Sequence, residues 1–201
     1  MLDRISALPG VTLDHAAYHE DFARQTKDLR GVIWKLERSQ VFQELNDPSW
    51  QAFVDGDWRR SLDLLEEDRD AVRTEARHNR RQGLRIRRVR VVERPLTPYV
   101  QWELYALRML AEEGFEVSVL HSDEVADLEI HDRLPELVVI GRRVLYEVQY
   151  SGDWTPCGAR SIGDPQVIHT ASSEISRLFD RGEPLLDFFG REVAPLPAPA
   201  V

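Results

Sequence analysis

The sequence predicts an α+β fold, a mostly antiparallel or mixed sheet of five to six strands covered by helices. Three observations lead there. Three helical stretches open on a cap followed by proline: Asp47-Pro48, Thr97-Pro98 and Asp164-Pro165. In each pair the first side chain accepts from an otherwise unpaired N–H, and the proline pre-sets the first helical φ. Between the helices lie short strand candidates, most of them rich in Val, Ile and Leu, at 32–36, 84–92, 115–120, 137–140, 144–150 and 157–162. There is no internal repeat, and 201 residues suit one domain.

Taken in order, residues 1–13 read as a loose arm, and 14–27 as a helix with Ala17, Tyr18, Phe22 and Ala23 to one side. Residues 1–31 are therefore expected to form an N-terminal arm and helix, 32–192 a single α+β domain, and 193–201 a disordered Pro/Ala tail. A short helix follows Asp47 and stops near Gly56, and one long charged helix is expected over 60–81, ended by Gly83. The helix at 98–113 has apolar residues on more than one side and is expected to be covered broadly, with Trp102 mostly buried against the sheet. Gly141-Arg142-Arg143 between two apolar runs reads as a β-hairpin turn.

A chain of this length buries enough surface to need no disulfide or metal. The single Cys157 excludes an internal disulfide framework and fits a reducing compartment, so a cytoplasmic location is expected. No apolar run is long enough to cross a membrane, and Asp3 and Arg4 interrupt any secretory-signal pattern. A net charge of −9 argues against direct nucleic-acid binding by the surface as a whole. The charge is uneven: nine arginines stand against Glu75 and Glu93 between Arg73 and Arg94.

The strand at 84–92 carries the main candidate site. Leu84 and Ile86 share one parity, Val89 and Val91 the other, so strict alternation fails. A β-bulge at Arg87-Arg88 restores a single apolar face and sends Arg88 and Arg90 to the opposite one. Two guanidiniums two residues apart make an anion clamp, each offering a fork of donors. Tyr99 and Glu103 are four apart on the next helix and share a face, joined to the strand by a short turn. Glu103 is expected to pair with at least one of the arginines, with the Tyr99 hydroxyl nearby. The set Arg88, Arg90, Tyr99 and Glu103 is then a ligand site if one carboxylate leaves positive charge over. It is a closed structural cluster if Glu37 or Glu147 supplies a second.

No Gly-rich phosphate loop, G-x-S-x-G elbow or zinc-ligand spacing occurs, so no cofactor and no metal are expected. One enzyme pattern stands as the alternative. Pro135-Glu136 precedes Glu147-Val148-Gln149 on adjacent strands, with Glu103 on the preceding helix. This is similar to a degenerate form of a metal-dependent nuclease superfamily, in which carboxylates hold Mg²⁺ and a lysine activates water. Gln149 stands in place of that lysine and carries no charge.

The stretch 88–103, with Arg88, Arg90, Pro95, Tyr99 and Glu103, resembles an actinobacterial family of domains of unknown function. Trp34, Leu36 and Glu37, the turn Phe53-Val54-Asp55-Gly56, Tyr150 with Gly152, and Pro184-Leu185 extend the resemblance over 32–190. It implies a regulatory neighbourhood beside XRE-type helix-turn-helix regulators, such a regulator or another protein as partner, and no established activity. The chain departs from the pattern at its extended N-terminus and at Glu147-Val148-Gln149, where the family pattern has a histidine-containing strand. The expectation is a non-enzymatic regulatory or binding protein that takes an anionic ligand or acidic partner through the arginine pair.

Overall fold

The computed structural model describes residues 1–200. Its strands are β1 (Val11–Asp14), β2 (Gly31–Glu37), β3 (Leu84–Val92), β4 (Glu116–His121), β5 (Leu137–Ile140), β6 (Val144–Tyr150), β7 (Pro156–Ile162) and β8 (Glu183–Pro184). The helices are α1 (His15–Thr26), α2 (Pro48–Val54), α3 (Trp58–Glu67), α4 (Arg69–Gln82), α5 (Pro98–Glu112), α6 (Pro165–Arg181) and α7 (Leu185–Phe188). One mixed sheet takes all the strands in the order β1-β7-β6-β5-β2-β3-β4-β8. The pairs β2–β3 and β3–β4 are parallel and the others antiparallel. Each parallel pair needs a crossover; α2, α3 and α4 supply the first, α5 the second.

The sheet has eight strands where five to six were expected. The two additions are its edges. β1 is mostly exposed, and β8 is two residues long and includes a proline, so neither carries a readable apolar pattern. The first 13 residues are correspondingly no loose arm. Leu2 and Ile5 are buried in the core with α6, and the Arg160 guanidinium donates to the carbonyls of Ile5 and Leu8. The tail also makes contacts: Val193 is fully buried, and the Pro197 carbonyl accepts from Gln101 at 2.8 Å. Val201, at the end of the expected disordered tail, lies outside the described residues.

All three cap-proline helices form where expected. Asp47 accepts from the Trp50 N–H at 2.9 Å, Thr97 from Val100 at 3.1 Å and Asp164 from Gln166 at 2.8 Å. The long charged helix divides at Asp68 into α3 and α4. The break lets α3 bury Leu65 while α4 presents Arg69 and Arg73 to Glu113 at the end of α5. Trp102 is buried as expected, but against α2 and α3 and not against the sheet. Its ring meets Trp50 at 5.0 Å and its indole N–H donates to Ser49 and Ser61, so it faces the α2–α3 layer.

Two layers cover the sheet. On one face α6 sets Ile168, Ala171 and Ile175 against Trp34, Leu36 and Val89. On the other, α5 packs over Val92, Val117 and Val119, and α1 lays Tyr18 and Phe22 over Ile33, Val138 and Tyr146. Between α1 and α5 a cleft of about 510 Å³ opens over the middle of the sheet.

The expected bulge is absent. β3 pairs with β2 without a slip from Gly31↔Leu84 to Glu37↔Arg90, and with β4 from Arg87↔Glu116 to Val92↔His121. Leu84, Ile86, Arg88 and Arg90 therefore share the cleft face, and Val89 and Val91 face α6. A central parallel strand is covered on both sides, so its apolar residues need not share one face.

Candidate functional site

The floor of the cleft is built by strand register. Lys35 pairs with Arg88 and Glu37 with Arg90 across β2 and β3. Alternation places all four on one face. Lys35 also pairs with Val138 of β5, so Glu136, two residues earlier, arrives on that same face. Glu37 is the hub: Lys35 Nζ lies 3.0 Å from one carboxylate oxygen and Arg88 Nη1 3.2 Å from the other. The second contact lacks hydrogen-bond direction, since that oxygen, Oε2, has no hydrogen-bond partner among the described residues. Glu136 anchors the chain leaving β2 by accepting from the N–H groups of Arg38 and Ser39, at 3.0 and 2.7 Å.

The expected pairing of Glu103 is present. Arg90, fully buried, donates from Nε to Glu103 at 2.7 Å and from Nη1 to the Val91 carbonyl at 2.9 Å. Its Nη2 is buried without a partner among the described residues. Tyr99 goes elsewhere: its hydroxyl donates to Glu44 at 2.7 Å, and its ring lies among Phe42, Trp50 and Trp102. The clamp expected of Arg88 and Arg90 is therefore not open. Glu103 closes on Arg90 and Glu37 reaches Arg88, the second carboxylate that marks a structural cluster. The arginines share a face without acting on one point, because only Arg88 reaches the cleft.

The nuclease-like set does not converge. β5 and β6 pair Leu137 with Glu147, and Leu137 faces α6. Glu147 and Gln149 thus lie on the α6 face and Glu136 on the cleft face. Glu147 is taken by Arg160 at 2.7 Å and by the Ser6 hydroxyl. Among the described residues no group of three or more His, Cys, Asp or Glu is placed to hold a metal.

Burial opposes charge across this floor, and neighbours decide the result. Burial works to raise the Glu37 carboxyl, but Arg88, Lys35 and Arg90 together hold it down to about 2. Burial pushes Glu136 up to about 7, with Glu37 adding to the rise and Arg90 and the two backbone donors opposing it. Burial also works against the charge on Arg90, which Glu103 and Glu37 more than offset. Two carboxyls on one face are thus driven in opposite directions, a pattern found at functional sites and in structural ion networks alike.

The walls are apolar. Tyr18 and Phe22 of α1 stand on one side, Leu110 of α5 and Phe115 on the other, and Ile33 and Ile86 extend the floor. His15 and His19, one turn apart on α1, meet at the rim with Nε2 atoms 3.2 Å apart.

The model of the domain of unknown function DUF6879 matches residues 20–190. The chain belongs to this family. No curated protein matches it. The resemblance read from the sequence was to an uncharacterised family, and the DUF6879 match begins at residue 20 where that resemblance began at 32. The floor residues Lys35, Glu37, Arg88 and Glu136 all fall inside the DUF6879 region, while His15, Tyr18 and His19 precede it. Sequence reasoning missed Lys35. A signal was present: within the apolar run 32–36, Ile33, Lys35 and Glu37 alternate with Trp34 and Leu36, placing two charges on one side of a strand otherwise fit for burial.

Proposed function

We propose that this chain is a non-enzymatic binding protein of a regulatory module, which holds a small anionic ligand in the cleft between α1 and α5 and passes the cleft's occupancy to a protein partner. The observation that carries this reading is the cleft itself: apolar walls around a few converging charged groups, at a volume within the ~300–1,000 Å³ usual for small-molecule sites. Two cations enter it, Lys35 and Arg88, and they share the one carboxylate of Glu37. The partner is a helix-turn-helix regulator, and the setting actinobacterial; both follow from the resemblance carried by Arg88, Arg90, Pro95, Tyr99 and Glu103.

Co-purification of the tagged chain from its native host, with transcript profiling of a deletion strain, tests this. A helix-turn-helix regulator recovered with the chain, with altered transcripts near its gene, is the expected result. Recovery of no regulator together with unchanged transcripts overturns it.

A further inference from the structure

The floor charges divide unequally between the buried interior and the cleft. Arg90 is fully buried and closed by Glu103. Lys35 and Arg88 both line the cleft, with side chains 30% and 17% exposed. They stand directly opposite each other on adjacent parallel strands. One carboxylate, Glu37, serves both. The Arg88 contact is not a directed hydrogen bond, and among the described residues neither cation makes any other ion pair. A guanidinium carries five donors and an ammonium three, so most of this donor capacity has no partner in the protein. Of the other carboxyls that line the cleft, Glu116 is paired with Arg87 at 2.8 Å, and Glu136, which accepts from two backbone N–H groups, is pushed up to about 7 by burial. Glu75 at the cleft's edge is exposed on α4, where solvent screens it.

Below about pH 7, where Glu136 keeps its proton, one positive charge is therefore left over at the bottom of an apolar cleft. Beside it run Ile33, Ile86 and Val138, with Tyr18 and Phe22 above. A ligand that satisfies both features has a single anionic end and an apolar body. Resting on the reading of the cleft as the binding site, we infer that it takes an amphipathic carboxylate, its head bridging Lys35 and Arg88 and its apolar body lying between α1 and the sheet. A carboxylate accepts from both donors at once, and charge-assisted bonds in a site shielded from water are stronger than neutral ones. A phosphate head carries up to two charges against a surplus of one, so it fits less well.

Calorimetric titration of the full chain at about pH 6, where Glu136 is protonated and decanoate ionised, with decanoate, decanol and decylammonium tests this. Decanoate is expected to bind about tenfold more tightly than decanol, the effect of one charge-assisted pair, and decylammonium more weakly than either. Lys35→Met and Arg88→Met are each expected to erase that margin while decanol binding persists, and Lys35→Arg to restore it. Should Arg88→Met fail to fold, the more exposed Lys35 variants decide alone. Decanol binding as tightly as decanoate, or decylammonium binding best, overturns the carboxylate inference and leaves the cleft as a binding site. Binding of none of the three overturns the cleft reading itself.

Discussion

On the α6 face of the sheet, β2 and β3 present Trp34, Leu36, Val89 and Val91, all buried against Ile168, Ala171, Ile175 and Leu178. On the opposite face the same stretches of the same two strands present Lys35, Glu37, Arg88 and Arg90. The difference follows from what lies above each. A single helix of 17 residues, α6, runs along the first face and closes it. Two helices divide the second, α1 toward β7 and α5 toward β4, and they leave a cleft between them. Charges survive in the middle of that face because they neutralise one another and keep partial access to the cleft. Under α6 the middle of the sheet is closed and burying a lone charge costs several kcal/mol; the charges Glu147 and Arg160 on this face lie nearer its edge and are paired with each other.

The sharpest way to break the comparison is to leave a charge alone on the cleft face. Arg90→Ala strands Glu103 in the interior and is expected to cost about 3–5 kcal/mol, measured by urea denaturation. A cost below about 1 kcal/mol would mean that water reaches the pair and that the two faces are not so different. Replacing both partners, Arg90→Met with Glu103→Leu, is expected to recover most of the loss. Across the sheet, Ile175→Ala opens a cavity under α6 and is expected to cost about 2–5 kcal/mol while leaving decanoate affinity unchanged. A change in affinity there would show the faces to be mechanically coupled.

The pH profile separates the faces next, because the strongly shifted carboxyls Glu37 and Glu136 lie on the cleft side. Glu136 holds its proton more tightly folded than unfolded, its pKa raised from 4.5 to about 7. Its contribution is present below about 4.5 and is lost as pH rises to about 7, roughly 3 kcal/mol across that window. Glu37 runs the other way: held down to about 2, it stabilises above about 4.5, and that stability is lost as pH falls toward 2. Denaturation midpoints between pH 4.5 and 8 should therefore decline from the Glu136 contribution, and Glu136→Gln should flatten the decline whereas Ile175→Ala should not. A slope unchanged in Glu136→Gln would place its origin elsewhere. The smallest expected effect is Lys35→Met, within about 1 kcal/mol of the parent, because a partly exposed pair contributes little. A larger loss would make Lys35 structural and weaken its assignment to a ligand.

The Arg90–Glu103 pair was legible before the fold because the segment between β3 and α5 is short, and short connections keep consecutive elements side by side. The Tyr99 hydroxyl was misplaced for a related reason. Its partner Glu44 comes from the loop before α2, 55 residues away, and nothing local announces it. Lys35 and Arg88 are likewise far apart in sequence and meet only through parallel pairing, which no turn signal marks. Glu136 and Glu147 looked like one site because their strands are adjacent, but adjacency does not settle parity, and one residue of register moves a side chain to the other face.

By itself the sequence determined what local physics controls: the capped starts of α2, α5 and α6, the β5–β6 hairpin, the six inner strands and that Trp102 is buried, though not against which layer. Each depends on residues within a turn or two of one another, or on an apolar pattern long enough to read. Only the tertiary structure decided which charges share a face, that β3 runs without a bulge, that the N-terminal residues complete the core, and that α1 and α5 stand apart over Lys35 and Arg88. Those outcomes depend on pairing between segments distant along the chain, where the register of one strand against another sets which side chains meet and which are left facing the cleft.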